Sequence, residues 1–106
     1  MADFNIKQGD TDPDIVATLK DADGTAINLT GATVKFHMSQ KGRSVVNAEA
    51  IVVDAAAGEV KYSWAAADTA TTGPFDIEWE ITKSGGQIET VPNSTNDTVE
   101  ITAQLA

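Results

Sequence analysis

Cysteine is absent from this 106-residue chain, which excludes disulfides, zinc–thiolate sites and thiol nucleophiles while leaving the redox compartment open. Histidine occurs once, at His37, so a Ser-His-Asp relay could be built only there, and one imidazole without thiolates makes no conventional zinc site. Basic residues are few: 7 Lys+Arg stand against 16 Asp+Glu, for a formal net charge of -9. A surface so acidic repels phosphate backbones and anionic headgroups, which demotes nucleic acid and membrane as partners. No apolar run approaches membrane-spanning length, and Met1-Ala2-Asp3-Phe4 has neither a basic start nor a following apolar run, so no secretory signal peptide is expected. The expected site of synthesis is therefore a cytoplasm. Helical periodicity sustained over three turns is also missing.

What is present is apolar residue at every second position. Hydrophobic residues make up 42% of the chain and are spread along its whole length, which predicts one folded domain over residues 1–106 with one core. Phe4 and Ile6 open the pattern, and Gly9-Asp10-Thr11-Asp12-Pro13 is turn chemistry. Ile15, Ala17 and Leu19 share one face of a second strand, which Asp21-Ala22-Asp23-Gly24 ends as a hairpin-type turn. Thr33 to Met38 reads as a strand with Val34, Phe36 and Met38 inward and Thr33, Lys35 and His37 outward. Val45 to Val53 reads as one strand, closed by Ala55-Ala56-Ala57-Gly58, and Glu59 to Trp64 places Val60, Tyr62 and Trp64 inward. Ala65 to Ala70 allows one turn of helix before Gly73-Pro74 stops it. Phe75, Ile77, Trp79 and Ile81 alternate with polar residues, Gln87 to Val91 returns, Pro92 to Asn96 is loop, and Val99, Ile101, Ala103 and Leu105 form the last strand. Seven or eight strands punctuated by turns define an all-β sandwich or small barrel. The expected core includes Leu19, Val34, Phe36, Val60, Tyr62, Trp64, Ile77, Trp79 and Ile101.

Each candidate site has a plainer structural reading. His37 lies between the inward Phe36 and Met38, so the pleat turns it outward as a solvated or interface residue, away from any relay. Asp10, Asp12 and Asp14 crowd one turn and Asp21 with Asp23 the next, as in oxygen-ligand calcium loops. Their spacing fails the EF-hand pattern, and Asx-turn chemistry explains them without a metal. Asp76, Glu78 and Glu80 share one strand face, where solvation is the commoner reason than a glycosidase pair. Sequons at Asn28, Asn93 and Asn96 matter only in a secretory pathway and are discounted. Trp64, Trp79, Tyr62 and Phe75 could form a sugar platform, but their alternation favours the core. No catalytic residue, cofactor site or metal site is assigned. The alternatives left open are a carbohydrate-binding module and a calcium-dependent surface-adhesion module.

Three stretches carry a family resemblance in their order and spacing: Lys7-Gln8-Gly9-Asp10-Thr11, Leu29-Thr30-Gly31-Ala32-Thr33-Val34, and Ala67-Asp68-Thr69-Ala70 followed by Gly73. From Phe4 to about Ile101 the chain resembles the immunoglobulin-like domain at the N-terminus of phage baseplate upper proteins, found also as small stand-alone proteins in tailed phages. The resemblance implies an immunoglobulin-like antiparallel β-sandwich and a non-enzymatic assembly role, at the baseplate, tail or connector or as capsid decoration. It implies other phage virion proteins as partners, several copies per particle, and location in the virion after synthesis in the bacterial host cytoplasm. The stretch from Asp68 to Phe75 resembles a tyrosine corner, with Phe75 supplying packing in place of a hydroxyl. Attachment is expected at a terminal edge strand, because unpaired edges invite a neighbour. The expected contacts are Asp3, Phe4, Asn5 and Ile6 at one end and Val99, Ile101 and Leu105 at the other.

Overall fold

The computed structural model describes residues 4–21, 23–91 and 97–105. Its strands are β1 (Phe4–Lys7), β2 (Ile15–Thr18), β3 (Thr33–Gln40), β4 (Arg43–Glu49), β5 (Ile51–Asp54), β6 (Glu59–Tyr62), β7 (Gly73–Thr82), β8 (Ile88–Val91) and β9 (Asp97–Thr102). A short 3-10 turn at Ala66–Thr69 is the helical turn expected there. The strands form two sheets. A six-stranded sheet runs β1-β9-β7-β3-β4 with β8 paired to the remaining half of β7, and a three-stranded sheet runs β2-β6-β5. The all-β immunoglobulin-like sandwich is therefore the observed class, and its strand pairs are antiparallel except β1 with β9, which is parallel.

The described strands number nine, not seven or eight, because the stretch from Val45 to Val53 is divided between the sheets. β4 pairs β3 in one sheet and β5 pairs β6 in the other. At the crossing, Ala50 is buried and its N–H donates to the Val34 carbonyl at 2.8 Å. A methyl side chain lets the backbone pass between layers without displacing core atoms. Between β3 and β4 the two-residue link Lys41-Gly42 takes positive φ at both positions (53° and 79°), the geometry that matches a tight hairpin to strand twist.

Alternation explains the core. Val34, Phe36 and Met38 from β3 and Phe75, Ile77, Trp79 and Ile81 from β7 are all buried, facing Ile15, Val60 and Tyr62 of the smaller sheet. The full set of expected core residues is buried. Phe36 is the hub: its ring stacks on Tyr62 at 4.6 Å between centroids, tilts against Trp79 at 4.8 Å and meets Trp64 edge-on at 5.7 Å. Such ring pairs add to the burial of their large apolar area.

The final strand is shorter than its pattern. β9 stops at Thr102, and Ala103 and Leu105 are exposed where alternation would place them inward. The ladder bond from Gln8 N–H to the Thr102 carbonyl is followed by a turn in which Asp10 N–H donates to Lys7, so β1 leaves and the continuation of β9 has no strand beside it. The expected Pro92–Asn96 loop and the sequon residues Asn93 and Asn96 lie outside the described residues.

Candidate assembly surface

The stretches that carry the resemblance build the framework. Gly9 N–H donates to the Thr69 carbonyl at 3.0 Å, Gln8 Nε2 to the Ala70 carbonyl at 2.7 Å, and the buried Thr69 hydroxyl to the Asp10 carbonyl at 2.9 Å. Two motifs distant in sequence thus close one corner, and Gln104 Nε2 joins it by donating to Asp10 Oδ1 at 3.0 Å. The third motif starts β3: buried Leu29 donates its N–H to the Ala55 carbonyl, and Ala32 N–H returns to the Leu29 carbonyl. Asp68 ties the corner to the core, because its Oδ2 accepts the Tyr62 hydroxyl at 2.6 Å and Ala65 N–H at 2.8 Å. The corner expected to be held by the packing of Phe75 therefore has a hydroxyl after all, supplied from β6. Phe75 is a plain core residue. Burial first, and then the adjacent Asp68 carboxylate, push the Tyr62 phenol well above its ordinary titration range.

The acidic turns also serve the fold. Asp21 Oδ1 accepts N–H groups from Asp23 at 3.0 Å and Thr25 at 3.1 Å, the Asx-turn role expected of it. Asp14 Oδ2 accepts the Ser63 hydroxyl at 3.1 Å, so Asp10, Asp14 and Asp21 direct their carboxylates to different partners. Among the described residues no three His, Asp or Glu side chains converge as a metal site would require. His37 Nε2 lies 2.9 Å from Glu80 Oε1 on the outer face of the six-stranded sheet, opposed to a carboxylate and not to a hydroxyl. Asn28, the described sequon asparagine, spends its Oδ1 on the N–H and hydroxyl of Thr30. Trp64, Trp79, Tyr62 and Phe75 are all buried, so their ring faces are not open to a sugar.

The remaining surfaces are strand edges and outer sheet faces. β1 is an edge, but β9 is interior, lying between β1 and β7. The expectation of a C-terminal edge strand is corrected on that point: the ladder positions of Val99 and Ile101 are filled on both sides and their side chains are in the core. Leu105 is fully exposed beyond the strand, and Asp3 lies outside the described residues. On β1, Ile6 is buried, Phe4 packs against Trp64 at 5.9 Å, and Asn5 and Lys7 are exposed. Because Gln8 donates toward β9, the alternation of a parallel ladder turns Phe4 and Ile6 to β9 and the backbone groups of Asn5 and Lys7 outward. Asp10 takes the Lys7 carbonyl, which leaves the Asn5 amide and carbonyl and the Lys7 amide along an edge that has no strand beside it among the described residues. A shallow recess beside it is lined by Asn5, Lys7, Asp10, Asp12, Pro13 and Thr102. The parallel β1 was not legible from residue pattern, since alternation gives a strand's faces and not its neighbour.

The six-stranded and three-stranded sheets packed around one core define this molecule as an immunoglobulin-like sandwich module. The family model of the BppU N-terminal domain, the N-terminal part of the phage baseplate upper protein, matches residues 2–100, and the chain belongs to that family. It is a phage structural domain by that membership. Among solved structures, the N-terminal domain of phage TP901-1 ORF48 is similar with a TM-score of 0.65 at 17% identity, covering 95% of this chain and 83% of that one. CopC from Methylosinus trichosporium OB3b is similar with a TM-score of 0.57 at 10% identity, covering 100% of this chain and 89% of that one. At such identities the likeness is one of fold. No curated protein matches the sequence.

Proposed function

We propose that residues 1–106 act as one non-enzymatic sandwich domain that takes part in assembling a tailed-phage virion through contacts with other virion proteins. The observation that carries this reading is the family match over residues 2–100. The residue chemistry supports it: carboxylates close turns, the histidine faces a glutamate, and the aromatic rings fill the core. The place of attachment is the baseplate or tail, the connector or the capsid surface, and several copies enter each particle after synthesis in the host cytoplasm. With a net charge of -9, nucleic acid and membrane are not partners.

Attachment uses the N-terminal edge, around Phe4, Asn5 and Ile6, with Asp3 before them and Leu105 of the opposite terminus as a further contact. Open amides on β1 suit a neighbour that adds an extended segment. Replacing Asn5 with proline deletes an outward N–H while sparing the bonds to β9, a position where an edge strand tolerates proline. The N5P variant should fold cooperatively and fail to co-sediment with particles in mild salt, where the unaltered chain stays bound. Full retention of the variant would remove the edge from the account. Saturable glycan binding, or a melting temperature set by calcium, would instead favour a carbohydrate or adhesion module.

A further inference from the structure

The two outer faces of the sandwich differ in kind. On the six-stranded sheet, the outward positions of the central strands beyond Pro74 are polar, running Thr33, Lys35, His37, Ser39 on β3 and Asp76, Glu78, Glu80, Thr82 on β7, and they separate the two exposed apolar side chains of that sheet, Val45 on β4 and Ile88 on β8. The three-stranded sheet breaks that rule. Val16 of β2 and Ile51 of β5 both lie opposite Lys61 of β6, so the three make one cross-strand row, and Val53 stands beside Ile51 where β5 bulges against Glu59. Val16, Ile51 and Val53 are exposed by 55%, 48% and 50%. Lys61 sits between them, and its Nζ reaches 3.8 Å from Asp14 Oδ2, which leaves its aliphatic stem in the apolar row. Asp14, Asp54 and Glu59 border the row, with Lys20 beyond the end of β2 as the nearby base.

From this we infer that the outer face of the three-stranded sheet is a docking surface for a neighbouring virion protein that presents an apolar centre rimmed by lysine or arginine. The inference rests on the virion reading and adds to it the face and the chemistry of the partner. An apolar centre within a polar rim is the anatomy of a protein interface. The charge of that rim chooses the occupant: Lys61 is already turned toward Asp14, so the acidic excess left on the border is matched by a basic partner. A second copy of this chain would bring the same acidic border against itself, under a net charge of -9 on each molecule.

The test uses a phage whose copy of this gene is deleted and supplied in trans, with the amount of chain per purified particle as the readout. Replacing Val16, Ile51 and Val53 together with threonine keeps β-branching, and so strand preference, while removing the apolar contact. This triple variant should melt cooperatively yet enter particles at least about tenfold less than the unaltered chain. Thr18→Lys, which places a positive charge on the same face, should also lower incorporation, and lowering the salt should deepen that loss. Ile88→Thr, an exposed apolar change on β8 of the other sheet, should have no effect. Normal incorporation of the folded triple variant overturns the inference, and so does an equal loss with Ile88→Thr. Unchanged or improved incorporation of Thr18→Lys overturns the basic partner. A concentration-dependent dimer of the unaltered chain in sedimentation, lost in the triple variant, would assign the face to a second copy. Absence of the unaltered chain itself from particles would overturn the virion reading first, and is distinguishable because no variant is needed to see it.

Discussion

Replacing Tyr62 with phenylalanine isolates the hydrogen bond from its core ring to Asp68 of the 3-10 turn. The ring stays, with its stacking on Phe36 at 4.6 Å and its edge contact to Trp64 at 5.5 Å, so packing nearly cancels in the comparison. What is lost is a 2.6 Å bond from a buried phenol to a carboxylate. Bonds to charged groups contribute about 1.5–3 kcal/mol, and Asp68 is only partly buried, so water can replace the phenol and the lower end, about 1.5 kcal/mol at neutral pH, is expected. Urea unfolding measures it. The alkaline limb supplies a second readout. Tyr62 titrates near the ordinary value of 10.0 in the unfolded chain and higher in the folded one, so above that pH the unfolded state holds fewer protons. The contribution is complete below about pH 10 and falls by about 1.4 kcal/mol per pH unit as the pH climbs toward the folded titration. The advantage of the unaltered protein over the variant should therefore close over roughly one pH unit above 10. The chain has a single tyrosine, so phenolate absorbance follows Tyr62 alone. Equal stability of the two proteins at neutral pH, or a phenol that ionises at its ordinary value in the folded state, would show that the Tyr62–Asp68 bond contributes nothing.

Trp79→Ala should cost about 3–5 kcal/mol in urea unfolding, since its side chain is 1% exposed and packs on Phe36; a loss below about 1 kcal/mol would place it outside the core. Gly58→Ala should cost about 2–4 kcal/mol, because φ is +71° and an added Cβ would lie 2.8 Å from the Ile27 carbonyl oxygen and 2.9 Å from that of Leu19. Gly24→Ala, with φ of +84° and open space around it, should cost only about 1–2 kcal/mol, and equal losses at the two glycines would show that the close approach at Gly58 contributes nothing.

The inward faces of β3, β6 and β7 were legible in the sequence because alternation is a local property: a strand with one face on a core writes its burial in its own residues. Sheet membership is not local. The residues from Val45 to Val53 are equally strand-like on both sides of Ala50, and the partners at the step from one sheet to the other, Val34 for Ala50 and Lys61 for Ile51, lie elsewhere in the chain. The same holds for the parallel pairing of β1 with β9, which turned an expected terminal edge into an interior strand. The Tyr62–Asp68 bond had a readable signal, an aspartate in the first turn of a short helix a few residues after a strand tyrosine. The hydroxyl comes from β6, whereas a tyrosine corner would place it at Phe75, which has none. The apolar row of Val16, Ile51 and Val53 could not be seen at all without the register, because each of its members alone is an ordinary strand residue.

Mass spectrometry of gradient-purified virions from the phage that encodes this chain decides whether the sandwich is a part of a tailed-phage particle. Peptides of this chain should be found alongside those of the other structural proteins and be retained after a wash in mild salt. Virions in which the other structural proteins are detected and this chain is absent would show that it is no part of the particle.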